Sequence, residues 1–572
     1  MSKGRTTQFA HRVRFVLMGA FLVAGLLGFW GFSLCQSQGI ANQPWLNRLY
    51  LTLQLFPAAS GAVRPPLPWQ LQAARFLAPV LSVYTLFWAI AFTLREHYHA
   101  ARLRWTRGHV VVCGLGRNGP QLVREFLTTG RNVVAIEVNP HNENIQTCFE
   151  LRSHIVIGDA TAAEILRKAR AAQAERVIAV TGDDSANAKI AIQLSEVCRT
   201  SYATHVPCHL HIVNHRLYDL LKQYHVPRVS EHKVRYHIFN VYQFAARRAF
   251  TDHPLVDPRR LADSTYSPLL ILVGLGDMGE SLLLQAIKVG HFPNSKRLRI
   301  VLVDKEATKG RIEFLARHPG LEGACTIKTF DGDVTKAETQ QHIAALVHSA
   351  GIATIALCFG NDFQNVIASL EISRYLSDTK SRMLVRINQH AGLGTLLDYA
   401  RKREQSLANY YPFGTVETSS TVNTLLHGEL DELAQAFYEG FNPTNNGKND
   451  WEELDEATKD IYRHRADHLH VKFHAIRCRV AKEAAGESFD QVTEEEIALM
   501  ADAERLRKEV EVILGRGTTE ASVQLHDTPA SASEIASEIS TIKKILYLLQ
   551  VKGWCIIRRK RPDDFDELSP KG

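Results

Sequence analysis

The chain has no Cys-x-x-Cys pair. Its nine cysteines are scattered from Cys35 to Cys555, so neither a zinc site nor a disulfide framework is expected, and the soluble part reads as reduced, cytosolic protein. A dominant charge is lacking as well, because 67 Lys and Arg against 60 Asp and Glu leave only +7 over 572 residues. The basic excess gathers partly beside two apolar stretches. It therefore reads as membrane topology rather than as a footprint for nucleic acid, and no nucleic-acid partner is expected.

Charge disappears altogether from those two stretches. Phe15 to Leu34 is a run of 20 residues without a charged side chain, and Phe76 to Leu94 is another of 19. Each is long enough to cross a hydrocarbon layer of roughly 30 Å at about 1.5 Å per residue. Bulky Phe29, Trp30 and Phe32 stand where a cleaved leader would carry small residues. Lys3, Arg5, Arg12 and Arg14 precede the first run, and Arg95, Arg102, Arg104 and Arg107 follow the second. The positive-inside rule then puts both termini in the cytoplasm of a multi-pass protein of the inner or plasma membrane. Between the runs, Trp45 to Phe56 is too short to span but suits a re-entrant helix, followed by Pro57, Ala58, Ala59, Ser60 and Gly61.

Behind the second run the chain carries one glycine signature twice. The first is Val-Val-Val-Cys followed by Gly114, Gly116 and Gly119, and the second is Ile-Leu-Val followed by Gly274, Gly276 and Gly279. An apolar run reads as a buried parallel strand, and the glycines turn it tightly into a helix whose N-terminal amides can face a pyrophosphate. Glu137, 23 residues after Gly114, stands near the acidic position that takes ribose hydroxyls, and Asp304 follows Gly274 by 30. Later marks repeat in order. Gly158-Asp159 matches Gly332-Asp333, Gly182-x-Asp184-x-x-Asn187 matches Gly360-x-Asp362-x-x-Asn365, and His211 to Asn214 matches Val385 to Asn388. Four marks in the same order point to a duplicated domain.

This duplicated pattern resembles the regulator-of-potassium-conductance domain, also called the TrkA N-terminal domain, over about 108–245 and 267–422. The resemblance implies a Rossmann-like fold binding NAD(H), another adenine nucleotide or an ion. It also implies rings of such domains acting on pore helices or on a transporter subunit. Carried onto this chain, the implied binding residues are Gly114, Gly116, Gly119, Glu137, Gly158 and Asp159, with Gly274, Gly276, Gly279, Asp304 and Asp333 as weaker counterparts. The span, short helix, small-residue loop, span order is similar to the pore unit of two-span cation channels. Pro57 to Gly61 stands where a potassium filter carries Thr-Val-Gly-Tyr-Gly.

His209, His211 and His215 lie near one predicted strand end and are expected at a polar interface rather than on a metal, since no carboxylates or cysteines stand at ligand spacing. The C-terminal third reads as helical. His464, His468, His470 and His474 are expected on a solvated face, and Gly517 to Ser540 as a flexible linker before an apolar segment from Ile542 to Ile557. Trp451-Glu-Glu-Leu454, Arg465-Ala-Asp-His468 and Gly553-Trp554 resemble the RyR domain, a small helical module. Glu504 to Lys508 departs from its Glu-His-x-Arg-Trp element.

The expected architecture is a two-span hairpin over 1–107, Rossmann-like doubly wound α/β domains over 108–266 and 267–425, and a helical RyR-like module over 426–572. The expected function is a nucleotide-gated cation channel, with potassium a candidate ion, or an ion-transport regulator. It would be a homotetramer in the lipid bilayer and not an enzyme. A membrane-anchored sensor without a pore and an NAD-dependent oxidoreductase are the alternatives. The oxidoreductase would need a substrate domain with a general acid or base, and the chain spends its second lobe on a repeat of the first.

Overall fold

The structure is a computed structural model. It describes residues 3–35, 37–58, 67–199, 205–214, 234–256, 266–293, 296–376, 381–388, 409–419, 430–442, 456–482, 491–516 and 531–558, with a few isolated positions between. The chain divides into two compact units, Met1–Thr106 and Arg107–Gly572.

In the first unit, helix α1 (Lys3–Leu34) and helix α3 (Trp69–Trp105) hold the two apolar runs, with the short helix α2 (Trp45–Gln54) between them. Small residues let the long helices touch. A Cβ on Gly31 would lie 2.6 Å from the backbone nitrogen of Leu71, so only glycine fits at that contact. Ala24, Phe32, Leu71, Ala74 and Ala78 fill the narrow interior. Leu22, Leu26, Phe76, Val80, Val83 and Phe87 point outward and are each more than 60% exposed. A soluble helix pair buries its large apolar side chains, and this one displays them. Among the described residues one segment, Leu17–Leu34 with mean hydropathy 1.9, is long and apolar enough to cross a membrane. From residue 91 onward the side chains of the second run lie outside the described residues, as do Ala59, Ser60 and Gly61 of the candidate pore segment. Pro57 and Ala58 follow α2 in a turn.

The second unit contains two all-parallel six-stranded sheets of identical topology. The first runs β3-β2-β1-β4-β5-β6, from β1 (Val110–Cys113), β2 (Val133–Glu137), β3 (His154–Ile157), β4 (Arg176–Ala179), β5 (Val206–His211) and β6 (Val234–Phe239). The second runs β12-β11-β10-β7-β8-β9, from β7 (Leu269–Val273), β8 (Arg299–Asp304), β9 (Thr326–Asp331), β10 (Thr354–Leu357), β11 (Arg382–Arg386) and β12 (Tyr410–Phe413). Strands β1 and β7 are buried along their whole length, which is why they read as unbroken apolar runs. Helices α4 (Gly119–Thr128), α5 (Glu143–Glu150), α6 (Ala163–Lys168) and α7 (Asp184–Arg199) link the first sheet. Helix α8 (Val241–Asp252) follows β6. Helices α9 (Asp277–Val289), α10 (Ala307–Arg317), α11 (Ala337–Ala350) and α12 (Asp362–Ser373) serve the second sheet. This is the doubly wound Rossmann-like arrangement, twice over.

Helix α8 belongs to the core of the second sheet. Its Ala245, Ala246, Ala249 and Phe250 pack with Leu270, Leu272 and Leu282. The C-terminal module packs there too, through Val471 and Val510. It is built from α13 (Glu432–Phe441), α14 (Glu456–Ala475), α15 (Glu494–Arg516) and α16 (Ala532–Val551).

Two expectations for this module are corrected. Helix α16 begins inside the Ser/Ala-rich stretch taken as a linker, because Ser531 caps it in a reciprocal capping box with Glu534. The last apolar segment is not continuous. Gly553, at φ 73°, turns the chain after α16 into a strand, Trp554–Arg558, that pairs antiparallel with Cys478–Lys482. The module is therefore helical with a two-stranded ribbon. Residues 443–450, 452, 453 and 517–530 lie outside the described set.

Candidate functional site

In each sheet the strand order reverses beside the first strand. β1 pairs with both β2 and β4, and β7 with both β8 and β10. At such a switch point the loops leaving the carboxyl ends diverge and open a crevice. Both glycine turns stand there. Gly114 has φ 98°, and a Cβ on it would meet the Thr181 Cα at 2.7 Å; a Cβ on Gly119 would meet the Gly114 carbonyl oxygen at 2.0 Å. The turn is thus closed to side chains from two directions.

Glu137 is the buried anchor of this turn. One carboxylate oxygen accepts from the Leu115 amide at 2.7 Å and the other from the Asn139 amide at 2.9 Å. The Asn142 and Asn144 side-chain amides donate to the Leu115 carbonyl at 3.1 and 2.9 Å. Asp159, across the crevice, accepts from the amide and hydroxyl of Thr161, and these bonds hold its carboxyl below the usual range. Gly158, at φ 154°, sits against Ile165. Gly114, Gly116, Gly119, Glu137, Gly158 and Asp159 therefore lie around one crevice, at the carboxyl ends of β1, β2 and β3.

The second copy repeats these bonds. The Leu275 amide donates to Asp304 at 2.9 Å, and Thr335 donates twice to Asp333, whose carboxyl falls to about 2. Here Lys305 also pairs with Asp333 at 3.1 Å.

The Gly-x-Asp-x-x-Asn marks have a different role. Asn187 accepts from the Thr181 amide and donates to the His211 carbonyl, while Asp184 accepts from the Val213 and Asn214 amides. Asn365 and Asp362 do the same for Phe359, Arg386 and Asn388. These residues staple the end of one strand to the next, so their repetition reports the fold rather than a ligand.

Three residues around the first crevice were not singled out in the sequence. Arg117 lies in the glycine turn and approaches the Tyr242 hydroxyl at 3.4 Å. Val138 and Ile157 are apolar yet 66% and 42% exposed, one after Glu137 and the other its register partner on β3. Their positions beside the acidic residue were the available signal.

His209 and His211 lie inside β5 and are buried. His209 stacks on His237 with ring centroids 4.9 Å apart, and burial pushes the His211 imidazole down to about 4. His215 lies outside the described residues. Among the described residues no cluster of His, Cys, Asp and Glu could hold a metal ion.

The solvated face expected on α14 is corrected: His464, His468 and His474 are 4%, 0% and 4% exposed. Their Nε2 atoms meet the carbonyls of Lys288, His291 and Val256 at 2.8, 3.1 and 2.9 Å. A carbonyl only accepts, so each Nε2 must carry hydrogen.

Comparison with known proteins bears on the first crevice. The TrkA-N domain family matches residues 110–220. The chain is 35% identical over 104 residues to the glutathione-regulated potassium-efflux system protein KefC of Salmonella typhi, covering 18% of this chain and 15% of that protein. It is 26% identical over 98 residues to potassium channel protein 1 of Methanocaldococcus jannaschii, covering 17% and 29%. The chain thus spans under a third of the length of these relatives. A crystal structure of GsuK bound to ADP aligns over 74% of this chain and 99% of that one, at 16% identity and a TM-score of 0.37.

Proposed function

We propose that the chain is a nucleotide-responsive regulator of cation transport, working as a channel or on one. The observation that carries this reading is the first crevice, where a turn that admits only glycine at Gly114 and Gly119 and the buried Glu137 acceptor fall within the TrkA-N match. The ligand is NAD(H) or another adenine nucleotide. The turn through Gly114, Gly116 and Gly119 would let the backbone at the start of α4 approach its phosphates, with Glu137 at its ribose hydroxyls and Gly158 and Asp159 at the far wall. Potassium is the proposed ion, since the names of KefC and of potassium channel protein 1 both carry it.

In this reading α1 and α3 are both membrane spans, supported by their outward apolar side chains. Both termini are cytoplasmic, and the divisions fall near residues 107, 266 and 425. Four chains would surround one pore lined near Pro57 to Gly61, with eight Rossmann-like domains in a ring. The RyR-like end would brace the second domain. The chain would do no chemistry of its own. A nucleotide can move such a gate only by binding one ring geometry more tightly than another.

The missing filter sequence favours a second reading, a membrane-anchored sensor that passes nucleotide status to a separate transporter. Cation flux through liposomes holding the purified full chain, with and without NAD, NADH, ADP and ATP, separates the two. Nucleotide-dependent flux is expected. Absence of flux under every ligand would leave only the sensor.

A further inference from the structure

The two copies can be matched residue by residue through their shared bonds. Leu115 to Glu137 corresponds to Leu275 to Asp304, and Thr161 to Asp159 corresponds to Thr335 to Asp333. The pairing register agrees, with Ile157 opposite Glu137 and Asp331 opposite Asp304. The frame is the same in both Rossmann-like domains, yet three side chains on the crevice wall are reversed in character. Asp277 replaces Arg117 in the glycine turn, Lys305 replaces Val138, and Asp331 replaces Ile157.

The replacements act on two parts of a nucleotide. On the phosphate side, α4 has no acidic residue in its first turn, whereas α9 opens with Asp277, and its Glu280 is paired with Arg317. A carboxylate at a helix N-terminus already occupies the favourable end of its dipole and repels a pyrophosphate. On the base side, exposed Val138 and Ile157 offer an apolar surface in the first Rossmann-like domain. In the second, Asp331 turns to the amide and hydroxyl of Thr308, and Lys305 reaches over to Asp333. Asp159 instead bonds to Thr161, and Lys189 acts on it as a weaker cation.

Charge points the same way. Arg117, Glu137, Val138, Asn139, Ile157 and Asp159 comprise one cation and two carboxylates. Their counterparts Asp277, Asp304, Lys305, Glu306, Asp331 and Asp333 comprise one cation and five carboxylates. Lys305 pairs with Asp333 and Lys309 with Glu306, and the carboxylates left in the second Rossmann-like domain repel a ligand bearing two or three negative charges.

Building on nucleotide binding in the first Rossmann-like domain, we infer that each chain binds one adenine nucleotide. Arg117, Val138 and Ile157 admit it, and Asp277, Lys305 and Asp331 exclude it from the second Rossmann-like domain. The second copy keeps the fold and the staples and gives up the ligand.

The test is calorimetry of the full chain in detergent, titrated with ADP and, separately, NAD. One site per chain is expected. The exposed pair Val138→Lys with Ile157→Asp should weaken binding about tenfold or more, as like charges across a binding surface do, with an unchanged melting temperature. The triple change Asp277→Arg, Lys305→Val and Asp331→Ile should raise the stoichiometry to two. Mapping of an 8-azido-ADP photolabel needs no variant and should mark peptides of the first Rossmann-like domain only. Two sites in the unmodified chain, or label in peptides around 274–335, would overturn the inference. No binding of any nucleotide would instead overturn the reading of the first Rossmann-like domain, and this inference with it.

Discussion

At the residue scale, the histidines of α14 link packing to pH. His464 and His468 face Lys288, His291, Lys472 and Arg507, with Glu504 the carboxylate paired to Lys472 and Arg507. Burial, and then the surrounding cations, push both imidazoles well below their ordinary value, so the folded chain holds them neutral. In the unfolded chain they titrate near about 6.5, and there they take up protons that the folded chain refuses. Their stabilising contribution is therefore present above that pH and lost as pH falls below it. Asp431, held at about 2 against its burial by Arg463 and Arg247, has its effect only below the ordinary carboxylate range. Lys472, lowered to about 8 by burial, titrates above the window. The melting temperature of the purified chain should thus fall steadily from pH 7 to pH 5, and less so in His468→Gln. A flat profile would mean that these rings are not buried against the second domain.

At the scale of elements, α8 ties three parts of the second unit together. Its Tyr242 lies near Arg117 of the first glycine turn and under the Arg386 guanidinium of β11, at 5.2 Å. One and a half turns on, buried Arg247 donates to Asp431 at 2.7 Å, to Asp467 at 2.9 Å and to the Leu430 carbonyl at 2.8 Å. Replacing Arg247 by Ala leaves Asp431 to Arg463 alone and Asp467 to the Gln285 amide, and breaking such a buried pair costs about 3–5 kcal/mol. Hydrogen exchange along α14 should show opening easier by that amount. A change below about 1 kcal/mol, the range of exposed pairs, would mean the network is solvated.

The same comparison shows what the sequence made legible. Strands β1 and β7 announce themselves because they are apolar throughout and end in glycine turns, and β8 ends at Asp304, the acidic residue named from its spacing. Helix α14 was misread because its buried face is made of His464, His468 and Lys472, which look solvated until their partners on α9, α15 and the chain around His291 are in place. The ribbon strand from Cys478 to Lys482 is only five residues long and pairs with a strand over seventy residues away, so no local pattern reveals it. Of the crevice, glycines and acidic residues were readable from spacing. The exposed Val138 and Ile157 were not, because only the folded surface makes an apolar side chain conspicuous.

At the scale of the whole molecule, a helical unit with outward apolar side chains and a unit with two Rossmann-like sheets share one chain. The first displays its large apolar side chains and the second buries them. The account's central claim is that a nucleotide in the crevice at Glu137 alters cation movement across the membrane. The most direct measurement is potassium flux into liposomes carrying the full chain, titrated with ADP and NAD and compared with Glu137→Ala. Loss of an ionised hydrogen-bond acceptor should cost about 1.5–3 kcal/mol, moving the nucleotide midpoint roughly tenfold or more to higher concentration while leaving flux at saturation unchanged. Flux that ignores nucleotide in the unmodified chain, or the same midpoint in Glu137→Ala, would contradict the account.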